Sequence, residues 1–204
     1  MRARKRCTVS SSLSSTGSNE LNALASPIRE LTRLERGAYE RHLLALDSED
    51  RRLRFGTPIG DSVVQAYVAS IDFDRDALFG VMSDDLTLVA AAHLARNDDH
   101  AELGVSVLPE HRGRGFGGAL LERAALRARN WRRPKLFMHC LRENETMMHL
   151  ARRQGMAIVT EAGEADAWLR LSQPDAASYF GEVFAQRVAL FDFALKTMRR
   201  QLQA

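Results

Sequence analysis

The residues best suited to chemistry lie between Val105 and Ala125. Val105-Ser106-Val107 reads as the end of an apolar strand, and Leu108-Pro-Glu-His-Arg112 follows it. Then come Gly113, Arg114, Gly115, Phe116, Gly117 and Gly118, before the helix-forming run Ala119-Leu-Leu-Glu-Arg-Ala-Ala125. Glycines at a helix start let main-chain N–H groups come close to a ligand, and the helix N-terminus adds partial positive charge. Arg112 and Arg114 add full charges. Such a place binds phosphate, which points to a nucleotide-like ligand and to an enzyme.

Gly113-x-Gly115-x-x-Gly118 spells a dinucleotide fingerprint, but there the strand feeds directly into the first glycine. Here Leu108 to Arg112 intervene, and Pro109, with no N–H for a ladder, ends the strand early. No Lys-Ser/Thr pair follows the glycines, so a Walker loop is excluded. The frame Arg112-x-x-Gly115-x-Gly117 resembles the pyrophosphate-binding motif of the GNAT superfamily, the acetyl-CoA-dependent N-acetyltransferases. Asn144 to Met156 resembles the family's next motif, an Asn-capped helix closed by Gly155-Met156. Ser48-Glu-Asp-Arg-Arg-Leu-Arg-Phe55 resembles the Arg-Phe signature of a bacterial subgroup, a kind of domain also found fused to acyl-CoA ligase modules that modify protein lysines. By that resemblance Arg54 and Phe55 border the acceptor side.

The elements that must position these residues follow from periodicity and punctuation. Strands are expected over 28–34, 77–82, 86–94, 101–108, 135–141, 157–161 and 165–171. Helices are expected over 37–46, 51–55, 61–71, 115–130, 144–154 and 175–203. An antiparallel meander followed by a strand–helix–strand crossover gives an α/β (α+β) fold, a mixed and mostly antiparallel sheet flanked by helices, with an added C-terminal helix. The same order resembles the GNAT fold over roughly residues 28–171. Residues 1–22 read as a disordered basic, Ser-rich tail, 23–172 as the acetyltransferase-like domain, and 173–204 as a helical extension. In that extension Phe184, Val188, Phe191, Leu195, Met198 and Leu202 alternate in steps of four and three, a coiled-coil-like seam. Burial against the protein's own sheet is the plain expectation and a homodimer contact the sharper one.

The resemblance implies acyl transfer from acetyl-CoA to an amine. The carbonyl would meet a backbone N–H within Val105-Ser106-Val107, and the pyrophosphate would rest on the amides of Gly113 to Gly118. Phe116 would pack the helix start, and Asn144 would cap the next helix and touch the coenzyme. An amine with a pKa near 10 must lose a proton. Glu102 is the candidate base, since it shares a strand face with Gly104 and Ser106; His93, His100 and Glu110 are reserves. Many family members carry a tyrosine acid where this chain has Ala151, with His149 about half a turn away. That departure keeps a second reading alive, a non-catalytic acyl-CoA-binding sensor.

Composition bounds the partners. A chain of 204 residues, 45% hydrophobic and 27% charged, suits one soluble domain. A net charge of +3 is too small to argue for nucleic acid. Cys7 and Cys140 lack metal spacing, so no metal is expected and a reducing cytoplasm is the simplest setting. No apolar run suits a membrane span. The acceptor is left as a small-molecule amine or a protein lysine.

Overall fold

The computed structural model describes residues 27–203. The Ser-rich tail expected over 1–22 lies outside the described residues. The elements are β1 (Arg29–Glu30), α1 (Arg36–Leu44), α2 (Ser48–Phe55), α3 (Asp61–Ser70), β2 (Ala77–Met82), β3 (Leu88–Arg96), β4 (Ala101–Val107), α4 (Phe116–Asn130), β5 (Lys135–Leu141), α5 (Glu145–Arg153), β6 (Ala157–Glu161), β7 (Glu164–Arg170) and α6 (Ala176–Gln203). The strands form one seven-stranded sheet in the order β1-β2-β3-β4-β5-β7-β6. The mixed, mostly antiparallel architecture with flanking helices and a C-terminal helix is the one the sequence led us to expect.

Local chemistry accounts for the connections. β2, β3 and β4 are apolar runs that pair antiparallel in sequence order. β4 and β5 are parallel, so a crossover must join them, and α4 supplies it. The β6–β7 hairpin closes through Ala162 and Gly163, with φ of 49° and 92°. Two left-handed residues in a two-residue turn match the twist of the flanking strands. The first strand is shorter than expected. The Glu35 carboxylate accepts from the Thr32 amide at 2.8 Å and hydroxyl at 3.0 Å, which turns the chain into a 3-10 turn over Arg33–Glu35.

Alternation along each strand feeds two cores. Phe79 and Leu94, with Leu103 of β4, pack under Leu120 and Leu121 of α4. Leu78 and Leu88 pack on the other face under Tyr39, Leu43, Val64 and Val68 from α1 and α3.

Helix α6 docks mainly by polar and small residues, with Phe193 as an apolar contact against the second core. Its buried side carries Ser178, Ala189 and Lys196, with Glu182 nearly enclosed. Glu182 accepts from Arg123 at 2.9 Å, from Asn130 at 2.6 Å and from Arg127. Burial alone would raise the Glu182 carboxyl, but these hydrogen bonds outweigh it and hold it below its usual range. Farther along, Gln186 accepts from the Glu30 amide, and Lys196 donates to the Met82 carbonyl. The plain expectation for the apolar seam is therefore overturned. Phe184 is 71% exposed, Phe191 67%, Met198 59% and Leu202 86%. The salt-bridged side won the sheet, which leaves the heptad side outward.

Glu182→Ala would strand the buried Arg123 guanidinium. The expected cost is about 3–5 kcal/mol in urea unfolding, because an uncompensated buried charge remains. Glu182→Gln, which keeps an acceptor, should lose clearly less.

Candidate active site

The sheet opens where the site lies. β4 and β5 are paired only at Ala101 with Leu136 and at Glu102 with Phe137. β4 keeps β3 as a partner from 101 to 107, while β5 keeps β7 from 135 to 141. Each half-sheet holds its own twist, and the two diverge from Leu103 onward. The wedge is a cleft of about 380 Å³, walled by Leu103 to Val107 on one side and Met138 to Cys140 on the other. α2 and α5 border it, and the glycine turn forms one end.

That turn is built to present amides. Pro109 ends β4 as expected and starts a 3-10 turn over Pro109–His111. Gly113 and Gly115 have φ of 72° and 81°, which a residue with a Cβ adopts only under strain. Gly115 then caps α4, a helix of 15 residues. Among the described residues, no protein group accepts from the amides of Gly113, Arg114, Gly115, Phe116, Gly117 or Gly118. A Cβ at Gly117 or Gly118 would meet Leu150 only at 3.7 Å, so packing does not demand the bare surface there. Free amides at the positive end of a helix fit a diphosphate.

The expected coenzyme residues divide. Val105, Ser106, Val107, Arg112, Gly113, Gly115, Phe116, Gly117, Gly118 and Asn144 all line the cleft. Arg112 is also engaged with protein: it pairs with Asp50 at 2.5 Å and donates to the Val107 carbonyl at 3.3 Å, bolting the turn to α2 and β4. The Arg114 side chain donates to the Glu110 carbonyl at 3.3 Å and is not part of the cleft wall. Asn144 caps α5 by accepting from the Met147 amide at 3.1 Å, leaving its NH₂ as a donor for the cleft. Glu102 is exposed, at the last residue pair before the wedge opens and outside its lining. Ala151 is buried in the core, whereas His149 on the same helix reaches the cleft wall.

Three polar arrangements were not foreseen from the sequence. His42 of α1 places Nδ1 2.9 Å from the Leu88 carbonyl and Nε2 2.8 Å from Ser106 Oγ. The carbonyl can only accept, so Nδ1 carries the proton and the bare Nε2 accepts from Ser106. Burial lowers His42 from its ordinary 6.5 to about 4, so the ring is neutral. Ser106 has thus committed its proton and can only accept from a ligand. His139 faces the cleft, with Nδ1 2.9 Å from Asp166 on β7. A third chain runs from Arg54 to Tyr67 at 3.3 Å, Tyr67 to His93 at 2.7 Å, and His93 to Asp76 at 3.1 Å. Burial would raise the Asp76 carboxyl, but the His93 hydrogen bond and the Arg96 amide bring it below its usual range. His93, a reserve base, has both ring nitrogens occupied. His100, another reserve, packs edge-on against Phe137 and Trp168 and pairs with Asp99. Among the described residues no cluster of His, Cys, Asp and Glu could hold a metal, and no helix is long and apolar enough to cross a membrane.

Residues 39–156 match the family model described as "Acetyltransferase (GNAT) family". The GNAT domain of S. lividans PAT is similar in structure, with a TM-score of 0.62 and 20% identity over 72% of this chain and 90% of that one. Spermidine N-acetyltransferase from Vibrio cholerae, in complex with CoA and spermine, gives 0.59 and 19% over 72% and 96%. The ribosomal-protein-S18-alanine N-acetyltransferase from Escherichia coli gives 0.55 and 16% over 74% and 97%. At these identities the likeness is one of fold. No curated protein matches the chain in sequence.

The neutral His42 predicts a pH dependence. Between pH 6.5 and about 4 the unfolded chain takes up a proton that the folded chain refuses. Its contribution is therefore complete above pH 6.5 and is lost as the pH falls toward 4, by about 3 kcal/mol. Denaturant unfolding of the wild type should show this loss, and His42→Gln should remove that part of the slope.

Proposed function

The chain belongs to the acetyltransferase (GNAT) family, and from that premise we propose that it transfers an acyl group, acetyl first, from acyl-CoA to a primary amine by direct attack in a ternary complex. One observation carries the reading: a wedge between parallel strands that ends in six amides without acceptors among the described residues. The diphosphate sits on those amides, and the pantetheine arm runs beside β4. Where the strands part, the β4 amides that would face β5 lose their ladder partner, and one of them, within Val105 to Val107, receives the thioester carbonyl. Ser106 accepts from a pantetheine amide, and the Asn144 NH₂ supplies a further donor.

Glu102 takes the amine proton, directly or through water, from the exposed face at the apex of the wedge. A second reading has its own support. His139 lies in the cleft wall with Asp166 behind it, and a carboxylate on Nδ1 leaves Nε2 free to receive a proton. Ala151 offers no acid. A departing thiolate has a pKa near 8.5, so water suffices. Similar folds in proteins named for spermidine and for a ribosomal protein's alanine support an amine acceptor. Small amine and protein lysine both fit a cleft of this kind, in a reducing cytoplasm.

The exposed α6 seam carries a further part of the reading, a parallel homodimer. In that pairing Phe184, Phe191 and Met198 alternate with Val188, Leu195 and Leu202. Arg187 of each copy falls opposite Asp192 of the other, which also pairs with Lys196 of its own helix at 2.9 Å.

Free-thiol release from acetyl-CoA across an amine panel tests the transfer. Glu102→Gln should lower kcat about 10²- to 10⁴-fold with CoA affinity kept, whereas a collapse in His139→Asn alone would move the base to the imidazole. CoA binding without turnover on any amine would favour the sensor. Absence of calorimetric heat with millimolar CoA would remove the reading. Sedimentation should give twice the chain mass, and Phe184→Glu with Phe191→Glu half of that; a monomeric wild type would end the dimer reading.

A further inference from the structure

Arg54 lies deep in the cleft, in the last turn of α2, and its charge is not matched. Its neighbours all have acids: Arg51 pairs with Asp61, Arg52 with Glu49 and Glu143, and Arg112 with Asp50. Among the described residues no carboxylate lies within ion-pair distance of Arg54. Nη2 donates to Tyr67 Oη at a long 3.3 Å, and the buried Nε has no partner. The buried Tyr39 hydroxyl is the other neutral oxygen beside the guanidinium. The terminal nitrogens carry four N–H groups, and among the described residues no anion takes any of them.

The position is enforced. A Cβ at Gly104 would fall 1.9 Å from Arg54 Nη2 and 2.1 Å from Cζ, so the guanidinium lies directly on the β4 backbone. The Phe55 and Tyr67 rings hold it at 4.9 Å and 6.0 Å. A guanidinium in so enclosed a place is costly without an anion. The diphosphate cradle does not supply one, because Gly104 lies about 10 Å of strand before β4 ends, with the turn still beyond. Gly104 instead borders the Val105 to Val107 segment assigned to the reacting carbonyl.

Resting on the acyl-transfer reading, we propose that Arg54 receives a carboxylate brought into the cleft by one of the two reactants. The carboxylate is either the far end of a dicarboxylic acyl chain or the α-carboxylate of an amino-acid acceptor. The planar fork of arginine suits a carboxylate bound by two parallel hydrogen bonds. Gly104 is the counterpart of the arginine, the residue that leaves room for it.

Binding tests this without turnover. Calorimetry compares succinyl-CoA with acetyl-CoA. On CoA-saturated protein it then compares several amino acids, each with its decarboxylated amine. The wild type should favour the carboxylate member of one pair type at least tenfold, and the pair type that responds identifies the source. In Arg54→Met, and in Gly104→Ala, where the new methyl displaces the guanidinium, that ratio should fall to about one. A ratio taken within each variant cancels any general loss of affinity. CoA binding with no preference in either pair type would overturn the proposal alone, as would a preference that survives in Arg54→Met. Failure to bind CoA would overturn the acyl-transfer reading with it.

Discussion

The site depends on a pairing that stops after two residues. β4 and β5 bond at Ala101/Leu136 and Glu102/Phe137 and then separate, although each continues to bond its other neighbour. A parallel pair is slightly weaker per residue than an antiparallel one, so the β4–β5 seam is where a seven-stranded sheet parts at least cost. Everything assigned to the coenzyme follows from that parting. It opens a floor between two hydrophobic cores, strips amides of their ladder partners, and aims the start of α4 at the resulting slot.

Around the slot, hydrogen bonds are arranged with direction. Asp76 fixes which His93 nitrogen carries the proton, His93 then accepts from Tyr67, and Tyr67 accepts from Arg54. The chain leads away from the cleft and ends on a carboxylate held ionised, which disperses part of the arginine's charge without neutralising it. Glu182 works more directly, gathering Arg123, Arg127 and Asn130 at one carboxylate to hold α6. Among the described residues Arg54 has no carboxylate beside it, whereas Arg123 and Arg127 share that of Glu182. The first site borders the cleft and the second is scaffold.

What the sequence made legible was local. The glycine turn, the Asn144 cap, the strand-ending Pro109 and the strand bounds over 77–82, 135–141 and 157–161 are properties of a few adjacent residues, and the structure reproduces them. Pairings across strands were not legible. His139 meets Asp166 only because of the β5–β7 register, and His42 meets Ser106 only because α1 packs over β3 and β4. The alternation in Lys135–Leu141, where residues 136, 138 and 140 face the core, could have turned His139 away from it, toward the cleft. Nothing comparable pointed to His42, a histidine on an apolar helix face. The α6 seam showed which residues share a side but not which side the body prefers. That choice was made by Glu182 and its arginines, 50 or more residues away in sequence. Thr32 and Glu35 could have shortened the first strand, being the two ends of a capping box.

The Ser106–His42 contact has a consequence for reactivity. A serine hydroxyl bonded to an imidazole looks like half of a hydrolytic triad. In a working triad a carboxylate stands behind the ring and stabilises the imidazolium that forms as the hydroxyl attacks. Here a main-chain carbonyl occupies that place, and burial opposes the charged ring. Proton transfer from the hydroxyl to the ring is therefore disfavoured, and Ser106 serves the cleft as a hydrogen-bond acceptor rather than as a nucleophile.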